Sequence, residues 1–488
     1  MHIGHALNKI HKDVINRAQQ MAGRDANYIP GWDCHGLPIE WKVEEKYRAK
    51  KLDKDEVPVL EFRRECREYA QHWLNVQAEE FKRLGVAGDW EHRYATMDFE
   101  SEALIAGEIG KFLLNGALYR GLRPVMWSPV EKTALAEAEV EYHDKKDTAI
   151  WVKFPVRTAA ARIDPITNRW SNEHVIGASV VIWTTTPWTI PGNKALAYGP
   201  ELEYVVIKVL AVEEKSFAKS LEKLIVSHDL LAEFCKKTGI LSYDILEVLQ
   251  GQGSENSLEI LGITCEHPLR NHPDSGDFYN DDRRLLKAEF VTNDAGTGFV
   301  HIAPGHGEDD FVLCRDYNIT VPDTVADDGT YYSSVPTFKG MHVYKVANAV
   351  CDALKLCGNL LKAEEFNHSY PHSWRSKAPL IYRATAQWFI AMDRIFIKGG
   401  DIIDFSLEGK SIREKALAAI DATHFVPEIG RNRIRSMVES RPDWCISRQR
   451  AWGVPIAIFV DKTTHEPLRD AEVMARIVEI FKTEGADA

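Results

Sequence analysis

The chain has 488 residues, 45% hydrophobic and 27% charged, with 60 Lys+Arg against 72 Asp+Glu and a formal net charge of −12. This composition is ordinary for a globular protein with an ample core, and at about 150 residues per domain it predicts about three domains, or two plus a large insertion. With no apolar run long enough to span a bilayer and no apolar signal core at the start, membrane-spanning, fibrous and disordered classes are not expected.

The first 144 residues read as alternating helix and short strand. Leu7, Ile10, Val14, Ala18 and Met21 recur at helical steps, and Gly23 can end that helix. A short strand is expected at Tyr28-Ile29-Pro30-Gly31. A long amphipathic helix follows through Leu60, Cys66, Tyr69, Trp73, Val76 and Phe81, then a helix over 100–116 and a strand at Pro124-Val125-Met126-Trp127. That alternation favours a parallel α/β sheet. From 145 to 365 the text turns β-rich, with runs at 149–154, 179–183, 204–207, 297–303 and 340–344, and helices at 216–224 and 229–237. From 366 helices return, with a strand near 455–460. The simplest picture is an α/β domain interrupted by a β-rich insertion.

The eight cysteines are scattered without a Cys-x-x-Cys pair, which predicts reduced thiols in a cytoplasmic protein. His2-Ile3-Gly4-His5 opens the first helix. Two imidazoles three residues apart share a face at the positive end of the helix, where Gly4 lets a ligand approach, an arrangement suited to phosphate oxygens. Gly31-Trp32-Asp33-Cys34-His35-Gly36-Leu37-Pro38-Ile39-Glu40 follows a short strand, where α/β folds place ligand loops. Its Asp33 can hold an ammonium group.

Trp183-Thr184-Thr185-Thr186-Pro187-Trp188-Thr189-Ile190-Pro191-Gly192-Asn193 crowds hydroxyls at a strand end, suited to a water or a ribose hydroxyl. The stretch at 296–310 brings His301, His306, Glu308, Asp309 and Asp310. An amine-binding Asp is the favoured functional reading, ahead of a metal. Over residues 431–450 six arginines face two acids, a cluster that suits phosphates. Each stretch also has a structural reading: solvent histidines, a tight turn, β-prone threonines, a polar loop, a solvated helix face.

Together these segments resemble the class I aminoacyl-tRNA synthetases, and within them the isoleucyl-tRNA synthetases. His-Ile-Gly-His matches the class's ATP-binding signature. Residues 31–40, the 183–189 run and the 301–310 stretch resemble the isoleucine branch, and His372-Ser373-Trp374-Arg375, the segment at 383–389 and the segment at 444–455 resemble those where the chain of such an enzyme returns to its catalytic domain. The resemblance covers almost the whole chain.

It implies a Rossmann-like catalytic domain (1–144 and 366–488) split by an editing insertion (145–365). It implies isoleucine activation with ATP and Mg2+, transfer to tRNA(Ile), and hydrolytic editing of valyl-tRNA(Ile). His2, Gly4 and His5 would bind ATP, with His2 and His5 catalytic. Asp33, Trp388 and Trp444 would bind isoleucine. Thr184, Thr185, Thr186 and Asn193 would position the ester, the ribose and a water. His301 would contact the same substrate end, and Asp310 would hold the misacylated amino group.

Three features depart from the family pattern. The segment that normally precedes His-Ile-Gly-His is not in these residues. Nor is a Lys-Met-Ser-Lys-Ser motif, whose nearest approach is Gly409-Lys410-Ser411-Ile412. Trp127-Ser128-Pro129-Val130-Glu131 stands where many members have Trp-Cys-x-x-Cys, so no zinc site is expected. These departures predict a fragment, a gene-model piece or one half of a split enzyme with a C-terminal partner chain. They leave open a chain that only edits, or a non-catalytic tRNA- or partner-binding remnant.

Overall fold

A computed structural model describes residues 1–159, 173–251, 262–394 and 410–488. Gly409 lies outside the described residues. The chain divides into two units, one of residues 1–121 with 387–488 and one of residues 122–386.

The first unit opens with α1 (Ile3–Met21), β1 (Gly31–Trp32), α2 (Leu37–Ala49), α3 (Val59–Arg83), β2 (Tyr94–Ala95) and α4 (Phe99–Leu114), and β3 (Leu118–Ser128) leads the chain out. β1 and β2 pair in parallel, Gly31 with Tyr94 and Trp32 with Ala95. The expected strand at 28–31 therefore starts at the end of that segment. Helix α2 was not foreseen. Gly36 enters it at φ +92, and Pro38, with its pre-set φ, occupies the first turn.

Helix α1 forms where its periodicity predicts, yet no residue of it is buried. Its apolar stripe of Leu7, Ile10, Val14 and Met21 faces outward. The contacts come from the polar side: Ala87 N–H donates to Asp13, Arg17 to the Gly85 carbonyl and Lys9 to the Tyr28 hydroxyl.

The second unit continues with β4 (Thr133–Ala134), β5 (Val140–Thr158), β6 (Ala178–Thr184), β7 (Ala195–Tyr198), β8 (Glu203–Val212), β9 (Lys223–Ser227), α5 (Leu231–Thr238), β10 (Ile240–Gln250), β11 (Thr264–Cys265), β12 (Arg283–Lys287), β13 (Phe299–Ile302), α6 (Glu308–Asp316), α7 (Ala347–Leu356), β14 (Leu360–Ser373) and β15 (Ile381–Ile390). Among the described residues a mixed sheet runs β10-β8-β9-β6-β5-β11-β12-β7-β13, with β14 also on β5. Its central strands are apolar on both faces. Val180, Val181 and Ile182, Val205, Val206 and Ile207, and Leu224, Ile225 and Val226 are all fully buried. Ile182, Val206 and Ile225 pack into one core, while Val181, Val205 and Leu224 pack with Phe234 of α5 into another. Near-continuous apolar runs are what strands covered on both faces require.

The changes of character at 145 and 365 fall inside β5 and β14, which pair from Val140–Ser373 to Val152–Leu360. Three local expectations fail. Residues 216–224 carry a helical spacing, but Leu221 takes φ +70 and the segment enters β9, buried between β8 and β6. Residues 340–344 hold an isolated bridge and a short 3-10 turn. In 455–460 only Val460 finds a strand partner, Pro467.

The chain re-enters the first unit with α8 (Ile412–Ala422), α9 (Ile429–Glu439), β16 (Trp444–Cys445) and α10 (Ala471–Glu484). Trp452, between the last two, is fully buried. Its indole N–H donates to the Cys34 carbonyl (2.7 Å), and its backbone N–H donates to Glu40 (3.2 Å). The guanidinium groups of Arg63 and Arg67 lie 5.3 and 5.2 Å from its ring. Arg63 also donates to the carbonyls of Ala451 and Gly453, and both arginines pair with Asp487.

Truncating a buried aromatic costs about 3–5 kcal/mol. Trp452→Ala should therefore release residues 31–40, seen as faster amide hydrogen exchange there. Trp452→Phe should keep the packing and lose about 1 kcal/mol with the indole hydrogen bond. Unchanged exchange at 31–40 in Trp452→Ala would show that the loop is held by other contacts.

Candidate functional site

In the first unit, His2 and His5 come together at the start of α1, ring centroids 3.8 Å apart. His2 Nδ1 accepts the Gly4 N–H (3.1 Å) and His5 Nδ1 accepts the His2 N–H (3.4 Å), so the two rings cap the helix. A Cβ on Gly4 would lie 3.0 Å from the His2 ring. Desolvation, and then the neighbouring charge of His2, lowers the pKa of His5. A ring whose Nδ1 accepts presents its Nε2–H as a donor.

Asp33 is exposed at the end of β1. Its Oδ1 accepts the Thr96 hydroxyl and the His35 N–H, both at 3.3 Å, and Thr96 Oγ1 accepts the Cys34 N–H at 2.8 Å. Thr96, next to β2, thus orients Asp33, a role invisible in the Asp33 segment itself. His35 Nε2 lies 3.4 Å from the fully buried Glu102. Burial opposes ionisation of Glu102, but His35, the Ala486 N–H and Arg67 outweigh it and hold its pKa down.

Trp388 and Trp444 share a ribbon. Ile390 opposes Trp444 and Phe389 opposes Cys445 in the antiparallel β15–β16 pair, which puts Trp388 and Trp444 diagonally on one face. Trp388 is half-buried, while Trp444 is 46% exposed with the Arg441 guanidinium 5.7 Å from its ring. In the arginine-rich stretch, Arg431 and Arg435 pair with Asp421, and Arg448 donates to the Cys445 and Ser447 carbonyls.

In the second unit, β6 ends at Thr184, a 3-10 turn spans Pro187–Gly192, and β13 sets His301 opposite Leu196 of β7. The tautomer of His301 follows from one bond. Asn193 Nδ2 donates to the Ala195 carbonyl (2.8 Å), which fixes the amide orientation. Nδ2 also donates to His301 Nδ1 (3.3 Å), so the ring proton sits on Nε2 and is given to Thr189 Oγ1 (2.8 Å). Thr189 in turn donates to the Thr186 carbonyl (2.9 Å).

Thr186 Oγ1 lies 3.3 Å from Thr189 Oγ1 and 3.1 Å from Thr184 Oγ1. The structure thus joins Thr184, Thr186, Asn193 and His301, and adds Thr189. Thr185, half-buried, shows no side-chain bond to this network. Both ring nitrogens of His301 are engaged by the protein, Nε2 by Thr189 and Nδ1 by Asn193. Asn193 Oδ1 is buried without a partner among the described residues.

Asp310, in the first turn of α6, reaches back so that its Oδ2 accepts the Ala303 N–H (2.7 Å). Burial raises its pKa to about 6, and burial lowers those of His301 and His306 to about 4. His306 Nδ1–H donates to the Tyr382 carbonyl (3.0 Å), leaving Nε2 to accept the Thr324 hydroxyl (2.8 Å). Among the described residues no group of three or more His, Cys, Asp or Glu side chains could hold a metal ion.

The model of class I tRNA synthetases (I, L, M and V) matches residues 1–488, and the chain belongs to that family. Among curated relatives it is 56% identical over 498 residues to an isoleucine–tRNA ligase of Gluconobacter oxydans, covering 100% of this chain and 48% of the relative. It is 50% identical over 504 residues to that of Caulobacter vibrioides and 49% identical over 487 to that of Pelagibacter ubique, each covering 100% of this chain and 49% of the relative. The chain thus spans about half the length of the curated relatives it matches. A solved structure titled "The crystal structure of GlLeuRS-CP1" aligns with 46% of this chain and 100% of its own, at 14% identity and TM-score 0.31.

The lowered pKa of His301 has a thermodynamic consequence. The unfolded ring takes a proton below its ordinary 6.5, while the folded ring resists down to about 4. Its stabilising contribution is therefore whole above 6.5 and is lost as pH falls toward 4. Near pH 5 one extra proton bound on unfolding gives a slope of about 1.4 kcal/mol per pH unit. Urea unfolding between pH 4.5 and 6 should show a slope shallower by roughly that amount in His301→Asn. An unaltered slope would mean that the ring is protonated in the folded protein.

Proposed function

We propose that the chain carries both halves of an isoleucine–tRNA ligase: activation of isoleucine with ATP–Mg2+ for transfer to tRNA(Ile), and hydrolysis of valyl-tRNA(Ile). Family membership and the names of the relatives support the first half. His2, Gly4 and His5 offer donors and open backbone to ATP phosphates at a positive helix end. Asp33, oriented by Thr96, takes the isoleucine ammonium group. Trp388 and Trp444, on one ribbon face, line its side chain.

The observation that carries the hydrolytic half is the hydroxyl–imidazole network of Thr184, Thr186, Thr189, Asn193 and His301, followed on the chain by the enclosed carboxylate of Asp310. Asp310 holds the amino group of the misacylated residue. The threonine hydroxyls and Asn193 position the ester, the ribose and a water, and Thr185 lines the same edge. His301, kept neutral, fixes the Thr189 hydroxyl. Two sites are needed because one methylene is worth only about 1–3 kcal/mol in an apolar pocket, a figure that comes from synthetases of this very kind.

Preformed valyl-tRNA(Ile) should be hydrolysed by the chain while isoleucyl-tRNA(Ile) is spared. Removing one partner of a buried ion pair costs about 3–5 kcal/mol, so Asp310→Ala should slow deacylation roughly a hundredfold or more. Deacylation at the parent rate in that variant would remove Asp310 from the site. A bulky residue at Thr186 should change the ratio of valyl to isoleucyl hydrolysis; an unchanged ratio would make the threonine run structural. Isoleucine-dependent ATP–pyrophosphate exchange, lost in Asp33→Ala, checks the synthetic half.

A further inference from the structure

His306 lies on the same stretch as Asp310 and His301, and its ring is held by three separate segments. Its ring lies 4.8 Å from Trp188, edge to face, and a Cβ on Gly192 would come within 3.2 Å of it. Both contacts are to the turn that ends at Asn193. Nδ1–H holds the Tyr382 carbonyl on β15, and Nε2 takes the Thr324 hydroxyl. Its backbone N–H closes a turn onto the Ala303 carbonyl (2.8 Å), and the next strand residue but one, Ala384, donates to the Gly305 carbonyl (2.8 Å). Arg383, between them, donates to the Val325 carbonyl (2.8 Å) and so fixes the segment that presents Thr324.

The turn of residues 303–307 is the one that wraps Asp310. Ala303 N–H is bound to Asp310 Oδ2, and a Cβ on Gly307 would sit 2.9 Å from the Asp310 carboxyl carbon. With Oδ2 committed to Ala303, the direction of Oδ1 depends on where this turn stands.

We propose that His306 is a positioning residue of the hydrolytic site: anchored to Tyr382 and Thr324, it fixes the 303–307 turn and thereby aims the Asp310 carboxylate at the substrate amino group. The inference rests on the editing reading of the site. It predicts a defect confined to amino-group recognition, which a merely structural role would not give.

The test compares two preformed esters of tRNA(Ile) on the full chain: valine, and its 2-hydroxy analogue, which has no ammonium group for Asp310. Loss of both ring hydrogen bonds in His306→Ala should slow valyl-tRNA hydrolysis about 10–100-fold. Hydrolysis of the 2-hydroxy ester should stay within about twofold of the parent, the pattern expected of Asp310→Ala. Thr324→Val removes only the donor to Nε2 at near-constant volume, so folding is preserved; it should show the same selectivity with a loss of about 3–10-fold. Equal slowing of both esters, or no slowing of either, would overturn the proposal. A parent chain that hydrolyses neither ester would overturn the editing reading itself.

Discussion

Trp452 is the contact on which residues 1–121 and 387–488 depend. It carries a fully buried indole of the returning segment into a site where both of its N–H groups find acceptors on the early segment, the Cys34 carbonyl and Glu40. Burying an indole without an acceptor would leave an expensive unsatisfied donor; here the same burial also sets the backbone one residue after Asp33. Arg63 and Arg67 of α3 lie over the ring, and Asp487 beyond α10 together with the buried Glu102 supplies their counter-charges. The backbone beside Asp33 and the stability of this unit are thus held by one cluster. Glu40, buried beside it with its pKa raised by desolvation, is kept in place by Arg450, the Trp452 N–H and Lys54.

In residues 122–386 the governing constraint is smaller, the backbone carbonyl of Ala195. It can only accept, so it decides which way the Asn193 amide faces, which nitrogen of His301 is protonated and which way the Thr189 hydroxyl points. Polarity in the candidate hydrolytic site is transmitted from sheet backbone to side chain without any charged group in the sequence of bonds. Low-dielectric burial keeps it so, because a buried imidazolium loses the hydration that would stabilise its charge.

Much of this was legible in the sequence. Long periodic helices such as α3 and α4, and the runs that became β5, β6 and β8, declare themselves by period and β-branched content. The grouping of Thr184, Thr186 and Asn193 with His301 was instead what the family resemblance implied. What escaped is what no local pattern encodes. Leu221 and Leu224 have helical spacing, but three consecutive buried residues in β9 needed partners on both sides, and tertiary pairing overrode the period. Thr96 orients Asp33 from 63 residues away and has no signature of its own, while Thr189 lies in the threonine run but its partner His301 is 112 residues further on. The outward stripe of α1 shows the converse case, in which the period is legible in the sequence and the face that makes contacts is not.

The separation of Cys34 and Trp452 by 418 residues also has a temporal side. On a ribosome adding about 5–20 residues per second, the loop bearing Asp33 is made some 20–80 seconds before the indole that plugs it. Residues 122–386 are contiguous and emerge in between, so their sheet can close while the first segment is still waiting. For that interval α3 presents Phe62, Cys66 and Leu74 without their eventual cover, an aggregation-exposed state whose length is set by the size of the intervening unit. An intervening unit of this size thereby also lengthens the time for which the first segment waits.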